Sequence, residues 1–152
     1  MKKISHIWSI ICTSSITDKD SNNISLMNTV EKYTVNVPKK EVEKIKDKTK
    51  LIIPFNQEIV SRFLREDKKE NIIFDIRVDI IAPSKKVIEA KETKTINFDK
   101  KFNNIRIINK IANIPAEGSG LYYFSVKIKE VGETEFIEAG TVPVEINIEF
   151  EK

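Results

Sequence analysis

Residues 141–150 read Thr141-Val142-Pro143-Val144-Glu145-Ile146-Asn147-Ile148-Glu149-Phe150, and they set the fold class. Val142, Val144, Ile146, Ile148 and Phe150 fall on one side of an extended chain, and the polar residues fall on the other. A period of two is the signature of a half-buried strand. The same pattern recurs upstream. Tyr122, Phe124, Val126 and Ile128 alternate with Tyr123, Ser125, Lys127 and Lys129. Phe74, Ile76, Val78 and Ile80 alternate with Asp75, Arg77 and Asp79. Strands with one apolar and one polar face suit two sheets packed face to face, each wetted on its outer side.

The rest of the chain agrees. His6 to Thr13 is short, β-branched and aromatic, a first strand. Thr17 to Asn23 is a turn of residues whose side chains bond nearby backbone. A second extended segment covers 24–37, with a bulge or a change of sheet expected near Glu31. Leu51 to Glu66 is extended, with Pro54 demanding an edge position or a bulge. Val87 to Phe98 is polar on both sides, as in an edge strand guarded by charge. Residues 102–114 carry a further strand, and Pro115 to Gly120 form a tight connection. The expectation is an all-β, antiparallel β-sandwich of seven to nine strands, immunoglobulin-like or related, in one domain spanning 1–152. A short helical or loop insertion is expected near 39–50, where Val42 and Ile45 are the apolar residues.

Composition points the same way. The 152 residues include 26 Ile and 11 Val but five Ala, a choice that suits pleated surfaces better than helices. Lys+Arg 26 against Asp+Glu 23 gives a net charge of +3, too small to imply a nucleic-acid partner. The lysine-rich 39–50 segment is interrupted by Glu41, Glu43 and Asp47 and has no aromatic residue for base stacking. The apolar run at Ile7–Ile11 is broken by Ser9 and is too short for a secretory h-region. No stretch approaches the roughly 18 to 20 apolar residues of a membrane span. The expected location is therefore the cytoplasm, with no membrane and no nucleic acid among the partners.

Trp8-Ser9-Ile10-Ile11-Cys12, then Asp18, Ser21-Asn22-Asn23-Ile24-Ser25-Leu26 and Val30-Glu31 resemble the opening of a family of uncharacterised bacterial proteins. That family begins W-S-x-x-C and continues D-x-x-[ST]-N-N-x-S-L. Gly120 to Val126, followed by Val142-Pro143-Val144, is similar to the closing strands of immunoglobulin-like sandwiches. Neither resemblance implies a catalytic activity, and the matched residues read as scaffold.

The chemistry-bearing residues are few. One Cys and one His exclude a disulfide framework and any two-His metal site. His6 and Cys12 lie about 20 Å apart on one extended strand, too far for a thiolate–imidazole pair. Asp18, Asp20 and Asn22 copy the D-x-D-x-N opening of a calcium loop. Asn23 stands where that loop needs Gly, and Thr29 where it needs Glu. Phosphate-binding and hydrolase motifs are absent. Trp8, Phe74, Tyr122, Phe124 and Phe150 are expected in the core. Phe55, Phe63 and Tyr123 are harder to place inside, and exposed together they would mark a partner surface. The leading expectation is a non-catalytic protein that acts through contact with another protein or with itself, without a cofactor. Alternatives are a Ca2+-dependent module built on Asp18, Asp20 and Asn22, and a hydrolase with an unrecognised carboxylate pair.

Overall fold

The computed structural model describes residues 3–44 and 51–152. In chain order they form β1 (Ile4–Thr17), β2 (Ile24–Thr29), β3 (Lys32–Val37), α1 (Lys39–Lys44), β4 (Leu51–Arg65), β5 (Ile72–Ile81), β6 (Val87–Ala90), β7 (Lys94–Phe98), β8 (Asn104–Ala116), β9 (Gly120–Glu130) and β10 (Ile137–Phe150). One sheet has four strands in the order β2-β1-β4-β8. The other has six, in the order β3-β10-β9-β5-β6, with β7 also on β5. The two layers enclose isoleucine, valine and phenylalanine, as the alternation requires. Tyr122, Phe124 and Val126 of β9 face Phe55, Ile59 and Phe63 of β4, all at 0% exposure. Phe55 stacks on Phe124 with ring centroids 5.1 Å apart.

Three departures from simple alternation shape the molecule. The expected change of sheet near Glu31 occurs: β2 ends on the four-stranded sheet, and β3 joins β10 of the other. The β3–β10 pairing is parallel, an exception to the expected antiparallel order. The expected edge strand 87–98 is interrupted into β6 and β7, which follow one another along the outer side of β5. That interruption is one reason for ten strands among the described residues, above the expected seven to nine. Pro54 sits where β4 pairs with β8 but not with β1, and a bulge separates Pro54 from Gln57. The proline thus has both an edge and a bulge to tolerate its missing N–H.

Past Cys12, β1 leaves β4 and pairs with β2 instead. The resulting hairpin reaches the outer face of the four-stranded sheet. Ser15 Oγ donates to Glu58 Oε2 at 2.8 Å, and Arg106 Nη2 donates to the Asn22 carbonyl at 2.6 Å. This cover explains why Val60, which shares the outward side with Glu58, is fully buried.

The connection from β8 to β9 is pinned from inside. Tyr122 Oη donates to the Gly118 carbonyl at 2.6 Å and accepts from the Glu117 N–H at 3.0 Å. The buried tyrosine thus ties the connection, four and five residues upstream, to the core. Gly118, at φ 119, supplies a conformation that side-chain-bearing residues rarely adopt.

Some expectations are corrected. Phe150, the last residue of β10, is 42% exposed, and Trp8 is only half-buried. Asp79 does not face water but is 4% exposed. It is held by Arg77, whose Nε donates to Oδ1 at 2.9 Å. In the 39–50 segment the structure places α1, while 45–50 and the side chain of Val42 lie outside the described residues.

Candidate functional site

A sandwich has two lateral sides, where the edges of its sheets come together, and here they are built differently. On one side β1 and β10 close the layers. The ring of His6 packs against Gly140, and its centroid stands 5.5 Å from that of Phe63. His6 Nε2 is 2.7 Å from Ser9 Oγ, which is 2.7 Å from Ser61 Oγ. In a regular strand, residues three apart point to opposite faces. The bulge between His6 and Trp8 brings His6 and Ser9 to the same face. No spacing rule applied to the sequence would have paired them. Burial pushes the imidazole below its usual pKa, opposed by a bond to the Trp8 backbone, and no carboxylate bonds it among the described residues. Ser61 is fully buried. The chain therefore runs from the half-buried His6 and Ser9 to a buried hydroxyl, which it satisfies.

The opposite side is open. There β8, the edge of the four-stranded sheet, faces β6 and the start of β7, the edge of the six-stranded one. Between them runs a groove of about 640 Å³. Its floor is Val78, Ile111, Ile114 and Asn109, each no more than 6% exposed. Its rim includes Ile52, 67% exposed, with Glu92, Lys94 and Lys110. Two lysines bridge the gap. Lys91 Nζ donates to the Asn113 carbonyl at 2.7 Å, and Lys94 Nζ reaches the Ile108 carbonyl at 3.4 Å. Lys91 also pairs with Glu89 Oε2 at 2.9 Å. Asn109 Nδ2 is buried without a hydrogen-bond partner.

The residues singled out from sequence lie elsewhere. Phe55 and Phe63 are wholly inside, because β4 is an interior strand and both share the inward side with Ile53 and Ile59. They cannot form a partner surface. Tyr123 is half-buried on the outer face of β9 beneath Lys85, whose Nζ stands 4.2 Å from its ring centre. Asp18, Asp20 and Asn22 cap the β1–β2 hairpin. Asp18 Oδ1 accepts the N–H groups of Asp20 and Ser21, both at 2.8 Å, and these bonds hold its carboxyl below the usual range. The Asn22 carbonyl takes the Arg106 guanidinium. No cluster of three or more His, Cys, Asp or Glu side chains spaced for a metal occurs among the described residues. None of their helices is long and apolar enough to cross a membrane.

No protein-family model matches the sequence, and no curated protein does. Among solved structures, the chain is similar to the CooA pilin subunit from enterotoxigenic Escherichia coli. That likeness has 8% identity and a TM-score of 0.32, and covers 97% of this chain and 99% of that one.

Proposed function

We propose that the protein is a non-catalytic β-sandwich that works through protein–protein contact, and that the contact is made at the open side between β6 and β8. The observation that carries this reading is two sheet edges facing one another across an apolar-floored groove. A strand edge with unpaired backbone groups is a template for another chain. The polar groups elsewhere support it as well. The His6–Ser9–Ser61 chain ends on an enclosed hydroxyl, and Asp18 is engaged by its own backbone.

A photo-crosslinking residue in place of Ile52, on the groove rim, tests the reading in the native host. The control position is Met27, exposed on β2. A discrete protein adduct at 52 and none at 27 is the expected result. Recovery of the chain as an unlinked monomer from both positions overturns it.

A further inference from the structure

The groove has the length and the hydrogen-bonding needs of one particular occupant. Its β8 wall runs from Asn109 to Pro115, about 20 Å of extended chain, enough for a strand of six or seven residues. The Asn113 carbonyl points into it, since Lys91 reaches it there, and the Ile108 carbonyl, held by Lys94, lies at its end. Asn109, 6% exposed, lines the same space, and its buried amide N–H has no partner. A buried donor left unmade is costly, and an extended backbone offers the carbonyl it lacks.

Charge selects among extended chains. Of the three groove lysines, Lys91 is paired with Glu89, and with Glu92 also on the rim the lining carries one net positive charge. Lys94 and Lys110 have no acidic side chain within ion-pair distance among the described residues. A second copy docking β8 against β8 would bring these lysines together, and like charges across a strand pair are unfavourable. An acidic strand would pair its side chains with the Lys94 and Lys110 ammonium groups and compete with Glu89 for Lys91. Its N–H groups would then take the carbonyl groups that the lysines now cover.

We propose that the groove binds an acidic, extended segment of a partner protein, which adds beside β8 as a fifth strand of the four-stranded sheet. This rests on the contact reading above and specifies its partner. The test titrates the 15N-labelled chain with a blocked eight-residue peptide of alternating valine and glutamate, followed by amide shifts and hydrogen exchange. Expected are saturable shifts confined to β6 and β8, with slowed exchange at Ile108. The valine–lysine counterpart and the backbone N-methylated valine–glutamate peptide should bind at least about tenfold more weakly. Asn109→Leu, checked for an unchanged melting temperature, should also weaken binding about tenfold, the loss of one buried hydrogen bond.

Equal binding of the N-methylated peptide would overturn strand addition. So would shifts mapping outside the groove, or no binding by the valine–glutamate peptide. A concentration-dependent dimer abolished by Lys110→Glu would give the groove to a second copy instead. If the peptide fails while position 52 still crosslinks a partner, strand addition falls and the contact reading stands.

Discussion

The imidazole of His6 lies so close to Gly140 that no side chain fits at position 140. A Cβ placed there would stand 2.8 Å from Nε2 and nearer still to Cε1. The pair joins the two sheets on their closed side, where β1 meets β10. The ring has little freedom to yield, since it bonds Ser9 and packs edge-on against Phe63.

Gly140→Ala should therefore destabilise the fold by about 1–3 kcal/mol, the usual cost of overpacking. The check is the urea midpoint. In a His6→Ala background the same substitution should cost much less, because the clash is gone. Equal costs in both backgrounds would show that the contact is unimportant.

His6 also predicts a pH dependence. Burial lowers its folded pKa below the unfolded value of about 6.5. The unfolded chain then holds the proton more readily, so stability is full above that value. It is lost as pH falls through the folded pKa. The wild type should lose more stability than His6→Gln on going from pH 7 to pH 5. Parallel curves for the two would rule out this role. Glu138 acts lower down. Hydrogen bonds from Thr141 and Ser125 depress its pKa, so its contribution fades only in the carboxylate range.

Tyr122→Phe removes the hydroxyl that holds the Glu117 N–H and the Gly118 carbonyl, and leaves the ring in place. A loss of about 1–3 kcal/mol is expected, read as a lower thermal midpoint with unchanged far-UV circular dichroism. A midpoint equal to the wild type would mean that this tie is not needed.

Arg65, 7% exposed, has no acidic partner for its guanidinium among the described residues. It donates to the Asp67 and Asp99 carbonyls at 2.6 and 2.9 Å, donates to the Glu70 carbonyl, and lies over the Phe98 ring. A lysine lacks the planar fork that reaches three carbonyls at once. Arg65→Lys should cost about 2–4 kcal/mol, several hydrogen bonds to a charged group. The denaturation midpoint checks this, and a variant as stable as wild type would contradict it.

Lys91 and Lys94 guard the β8 edge. With both changed to alanine, the Asn113 and Ile108 carbonyls are uncovered beside an exposed Ile52. The double variant should self-associate with rising concentration, as unguarded edges do. Sedimentation velocity measures it, and a monomer at all concentrations would count against the guard.

Much of this architecture was legible in the chain. Alternation in 72–81, 120–130 and 141–150 fixes which side chains face inward, because successive residues of a strand point to opposite faces. The change of sheet near Glu31 and the bulge after Pro54 were readable from broken periodicity and a missing N–H. Phe55 and Phe63 were not, since Ile52, Val60 and Leu64 put apolar residues on the other side of β4 as well. A period of two then picks no face.

What the sequence determined by itself was the two-layered β-sandwich and its aliphatic filling, because strand periodicity is a local property of the chain. What the tertiary structure decided was adjacency. It made β4 interior and β8 an edge, it seated His6 beside Ser9 through a bulge, and it set two lysines across a groove from the carbonyl groups of Ile108 and Asn113. Those relationships depend on which strands become neighbours across long stretches of chain. No periodicity within one strand encodes its neighbour.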